Sequence, residues 1–148
     1  MARTRDVSNI LTQPFAVTLG TSNYRAGVNA GNSIASGGNF NVCVGDEAGT
    51  AITTGDYNVA LGKSSLQGTT TGSENIAVGG VALAANILGS FSTAIGSGSL
   101  QIQNYATATS AYNTAVGYAS GAAVTTGVGN TLIGGLAGDA LTDADNNV

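Results

Sequence analysis

Few side chains in this sequence could carry chemistry, and their spacing argues against it. There is no histidine, so no imidazole can act as a general base or complete a Ser-His or Cys-His nucleophile pair. The carboxylate pairs are Asp46/Glu47 and Asp143/Asp145. Glycoside hydrolysis needs two carboxylates facing each other across a cleft. Both pairs lie instead in turn-like segments, where they serve turn polarity and solubility. Cys43 is the sole cysteine, which leaves no partner for an internal disulfide and no cysteine-based zinc site. Gly-rich nonapeptides with Asp at a fixed place, which bind calcium in other repeat proteins, are absent. The sequence is read as that of a non-enzyme with no catalytic residue, cofactor or metal.

Composition says what remains. Of 148 residues, 23 are Gly, 23 Ala, 18 Thr, 14 Asn and 13 Ser; 8% are charged, 5% are aromatic and none is Trp. Ordinary domains carry about a quarter charged residues, and a thick core of large side chains cannot be built from this set. Low charge and a mean hydropathy of +0.20 argue for order rather than disorder. The four basic residues are Arg3, Arg5, Arg25 and Lys63, against a net charge of −4. Binding nucleic acid takes clustered Lys and Arg, so none is expected as a partner. Apolar runs fall well short of the ~20 residues of a membrane helix. No signal-peptide core follows MARTRDVSNIL.

What positions these residues is a repeat. The pattern Asn, any residue, Ala, apolar, Gly reads NVCVG from Asn41 to Gly45, NVALG from Asn58 to Gly62 and NIAVG from Asn75 to Gly79. It continues as STAIG from Ser92 to Gly96, NTAVG from Asn113 to Gly117 and NTLIG from Asn130 to Gly134. The closing glycines step by 17 residues, except for 21 between Gly96 and Gly117. A weaker copy, NYRAG, starts at Asn23, and Asn147-Val148 matches the opening of a further copy. Units thus begin near 23, 41, 58, 75, 92, 113 and 130, and the extra residues of the fourth fall within 101–112. Such an insertion predicts a bulged loop on one face.

Seventeen residues are too few for a helix-pair repeat and suit one coil of a parallel β-solenoid, two short strands and two turns, with the strands at the β-branched positions and glycines at the corners. The expected class is all-β. Alternation puts Val42 and Val44 on one face and Cys43 on the other, with Ala60, Ala77, Ala94 and Ala115 equivalent to Cys43. The branched face is expected to fill the coil and the small face to lie outside, against the backbone of another copy or, as the alternative, as the inert Ala-rich outer wall of a monomeric solenoid. Cys43 is read as a small buried apolar residue.

Three other features call for a reading. Residues 1–22 precede the repeat domain of 23–148, and contain the only Pro, Pro14, beside Phe15, together with Arg3 and Arg5; they are read as an anchor or capping segment. Tyr105, Tyr112 and Tyr118 gather around the insertion, as contact residues for a sugar or a protein, or as packing within the bulge. The triplet Thr-Thr-Gly recurs at Thr53-Thr54-Gly55, Thr70-Thr71-Gly72 and Thr125-Thr126-Gly127. Stacked threonines suggest an ice-binding face, but Ile87-Leu88 and Asn104-Tyr105 interrupt the array.

The unit, best seen in NTAVGYAS from Asn113 to Ser120, resembles the repeats of bacteriophage tail-fibre and other virion fibre proteins, and MARTRDVSNIL resembles their N-terminal leaders. Similar repeats form the heads of trimeric autotransporter adhesins, which are left-handed parallel β-rolls wound as trimers. The resemblance implies a homotrimeric virion structural protein, a tail fibre or a capsid fibre, made in the host cytoplasm. Residues 1–22 would dock it on other tail or capsid proteins. It also implies an alternative, an adhesin segment touching a host-surface glycan or protein.

Overall fold

The computed structural model describes residues 20–148; Arg3, Arg5, Pro14 and Phe15, and with them most of the expected anchor, lie outside the described residues. The nine strands found there are β1 (Tyr24–Ala26), β2 (Val42–Val44), β3 (Val59–Leu61), β4 (Ile76–Val78), β5 (Gly89–Ser90), β6 (Thr93–Ile95), β7 (Thr109–Ser110), β8 (Thr114–Val116) and β9 (Thr131–Ile133). β1, β2, β3, β4, β6, β8 and β9 form one seven-stranded parallel sheet in that order, while β5 and β7 form a second. Every strand pairs with its equivalent one coil away: Val42 with Val59, Val59 with Ile76, Ile76 with Thr93, Thr93 with Thr114. The chain is a parallel β-solenoid of mostly 17-residue coils, as the repeat predicts, but only the units that hold β5 and β7 carry the two strands expected of each coil.

The closing glycines make this stacking possible. Gly62, at φ 129°, lies in the region that favours glycine. A Cβ there would sit 2.7 Å from the backbone of Gly79 in the next coil, so the coils press together with no room for a methyl.

Alternation within the strands is as expected, but its direction is reversed. Cys43, Ala60, Ala77, Ala94 and Ala115 are fully buried inside the coil, and Leu132 nearly so. The flanking Val42, Leu61, Ile76, Ile95 and Ile133 point outward and are exposed. The reason is volume. Each coil is narrow, and its opposite wall already sends one large aliphatic side chain into the middle: Ile34, Ile52, Leu66, Leu83, Leu100 or Val124. A methyl or a thiol fits opposite from Cys43 to Ala115, and Leu132 takes the position in the last coil, beside Gly121 and Gly138.

That aliphatic side chain comes from either of two positions three residues apart. Where the first is Gly31, Gly49 or Gly121, the second is Ile34, Ile52 or Val124; where the first is Leu66, Leu83 or Leu100, the second is polar, Thr69, Asn86 or Gln103. The first position has a left-handed backbone throughout, φ 58° at Gly49 and 50° at Leu83. A Cβ on Gly49 would lie 2.6 Å from Cys43 Sγ and 2.8 Å from Ile52 Cδ1. Leucine takes this unfavourable backbone only where the second position is polar rather than aliphatic.

A buried amide ladder joins the coils. Asn58 Oδ1 accepts from the backbone N–H of Asn75 at 3.0 Å and from Asn75 Nδ2 at 3.2 Å. Asn58 Nδ2 donates to the Gly72 carbonyl at 2.9 Å. Asn41, Asn113 and Asn130 repeat the arrangement. Ser92 breaks it, because its hydroxyl cannot span one coil. The insertion makes the repair: Gln103 Nε2 donates to Ser92 Oγ at 3.0 Å, and Gln103 Oε1 accepts from Asn113 Nδ2 at 2.8 Å. The 101–112 segment is thus only partly the bulge expected. Gln103, Tyr105 and Ala111 turn inward, and Thr109–Ser110 adds β7 to β5. No buried side-chain nitrogen or oxygen among the described residues lacks a hydrogen-bond partner.

Candidate functional site

With the small residues inside, the outward face of the main sheet presents the branched side chains to solvent. It carries Val42, Leu61, Ile76, Ile95 and Ile133 along the length of the rod. Beside it runs a column of corner residues in five successive coils, each immediately before the Asn or Ser that opens the unit: Phe40, Tyr57, Glu74, Phe91 and Tyr112. All five have left-handed backbones, φ 50–61°, and all five side chains are exposed. Phe40 stacks on Tyr57 with ring centroids 5.0 Å apart, and Phe91 on Tyr112 at 5.3 Å. These separations follow the ~4.8 Å spacing of paired strands. Glu74 lies between the two stacks, and a shallow groove of about 440 Å³ runs between Tyr57, Val59, Glu74 and Ile76.

The three tyrosines singled out in the sequence are not brought together. Tyr105 is buried, and its hydroxyl donates to the Gly127 carbonyl at 2.9 Å, so it is withdrawn from the surface where a contact residue would be needed. Burial pushes its pKa up to about 12, the Asn113 hydrogen bond opposing this and the Asp145 charge adding to it. Tyr112 is exposed on the Phe91 stack, and Tyr118 is exposed at the other end of β8. The aromatic corner formed with Phe40, Tyr57 and Phe91 was open to notice in the sequence. Its signal is a large residue preceding the Asn of successive units.

The remaining polar candidates stitch coils together. Asp46 Oδ1 accepts from the Val28 N–H at 3.1 Å, and Asp145 Oδ1 from the Val128 N–H at 2.8 Å. Glu47 Oε2 accepts from Gln67 Nε2 at 3.0 Å. Thr53 Oγ1 and Thr125 Oγ1 donate to the carbonyls of Thr70 and Thr142 in the following coils. Cys43 is buried in the coil, and desolvation pushes its thiol up to about 11, although the Arg25 guanidinium opposes this. Arg25 Nη1 itself donates to the Gly31 carbonyl at 2.8 Å. Among the described residues no group of three or more His, Cys, Asp or Glu could hold a metal ion, and no helix is long and apolar enough to cross a membrane.

Comparison of the chain with protein families, curated proteins and solved structures finds no match.

Proposed function

We propose that the chain is a non-enzymatic structural protein of a bacteriophage virion, a short homotrimeric rod attached to a tail or capsid through residues 1–22. The observation that carries this reading is the apolar outward face running from Val42 to Ile133. A monomeric soluble protein seldom leaves so continuous an apolar strip in water, and three rods placed around it would cover it. Six steps between seven paired strands give a rod on the order of 30 Å long at ~4.8 Å per step. Its stiffness comes from the buried ladder and the dense backbone packing. The resemblance of the repeat and leader to phage fibre proteins supplies the virion context.

Light scattering on the purified full chain tests the assembly. Three chains of 14.4 kDa give about 43 kDa, and a mass of one chain refutes the reading. Deletion of residues 1–22 should leave a folded trimer that no longer joins particles; if the truncated protein still incorporates, the anchor assignment fails. A second reading, contact with a host-surface glycan or protein, draws support from the exposed ring pairs Phe40–Tyr57 and Phe91–Tyr112. Glycan binding by the assembled protein that disappears in Tyr112→Ala would favour it.

A further inference from the structure

The apolar face holds one misfit. Glu74 is exposed among the aromatic corner residues. Whereas Glu47 is held by Ser64 and Gln67, the Glu74 carboxylate has no such partner among the described residues. A second copy covering this face would strip water from that carboxylate, and a buried charge without a partner is strongly unfavourable. Covering the face therefore requires a cation. Of the two basic residues in the described part of the chain, Arg25 is held against Gly31. Lys63 is exposed.

Lys63 and Glu74 cannot meet within one copy. Lys63 follows the glycine that closes β3, at the trailing corner of the sheet, and Glu74 precedes β4, at the leading corner. Six residues of extended chain separate the corners, on the order of 20 Å. Rotation about the rod axis, threefold included, changes this. It sets the leading corner of each copy against the trailing corner of the next, a head-to-tail contact that closes into a ring. The two residues then differ in height by a single coil, within reach of a flexible lysine stem.

We propose that copies of this chain associate through the apolar face with Glu74 of one copy paired to Lys63 of the next. This rests on the assembly reading above and names the contact that fixes its register. Two measurements on the full chain test it. In a Cys43→Ala background, the Lys63→Cys/Glu74→Cys variant should oxidise to a ladder of interchain disulfides ending at the trimer. By analytical ultracentrifugation, Glu74→Lys and Lys63→Glu should each weaken association by about tenfold or more, and the double exchange should return it to within a few-fold of the original, since opposite charges attract across an interface and like charges oppose it. A monomeric unaltered chain overturns both the assembly and the pair. An oligomer that neither cross-links at these positions nor recovers on charge exchange overturns the pair and leaves the assembly standing.

Discussion

Two ladder asparagines with the same burial should differ in their cost of removal. Asn58 and Asn75 are both fully buried. Removing the Asn58 amide leaves two backbone groups without partners: the Asn75 N–H, which donates to Asn58 Oδ1 at 3.0 Å, and the Gly72 carbonyl, which accepts from Asn58 Nδ2 at 2.9 Å. Removing the Asn75 amide orphans the Ser92 N–H. The Gly89 carbonyl loses one donor but keeps Asn86 Nδ2 at 2.9 Å. Each buried orphan costs about 1–3 kcal/mol, so Asn58→Ala should cost about 4 kcal/mol and Asn75→Ala about 2 kcal/mol. For a protein of this length 1 kcal/mol moves the melting temperature by roughly 2–4 °C. The expected losses are therefore about 8–16 °C for Asn58→Ala and about 4–8 °C for Asn75→Ala. The assay is thermal unfolding by circular dichroism at one protomer concentration, because association shifts the midpoint. Equal losses, or a larger loss for Asn75→Ala, would refute the reasoning from unpaired groups.

The other expectations concern the core and its ionisable groups. Leu83→Gly alone should destabilise by about 2–5 kcal/mol through the cavity it leaves, and Leu83→Gly/Asn86→Ile, which copies the Gly49/Ile52 arrangement, should recover most of that in urea unfolding. Gln103→Ala should cost about 1–3 kcal/mol, since it leaves Ser92 Oγ without its donor while Asn113 Nδ2 keeps the Gly127 carbonyl and the Tyr105 hydroxyl; Ser92→Asn in the Gln103→Ala background should restore part of it, and no recovery would argue against the repair of the ladder by Gln103. Burial favours the neutral Cys43 thiol, which ionises from 9.0 when unfolded and near 11 when folded. Its contribution to stability should be whole below pH 9 and fall as the pH rises towards 11, and a pH series of unfolding midpoints for Cys43→Ala should lack this fall.

How much was legible follows from what each signal measures. Spacing is a property of the chain alone. The 17-residue step from Asn41 to Asn58 to Asn75, the strands at Val42, Val59 and Ile76 and the parallel coil all follow from it, because every coil must bring equivalent residues into the same place. Parity was legible as well: residues two apart share a face of a strand. Which face is inside depends on the volume left by the far wall of the coil, and Ile52 and Leu66 occupy that wall. Only the folded coil places Leu66 opposite Ala60, or shows that Thr69 is polar because Leu66 has taken its space. The same holds for Gln103, whose amide takes over at the rung where Ser92 is too short. No period marks that exchange, since the substitute lies eleven residues away and enters from the insertion. The sequence alone determined the repeat and the strands; the tertiary structure decided which side faces water, since packing volume is shared among residues that spacing does not connect.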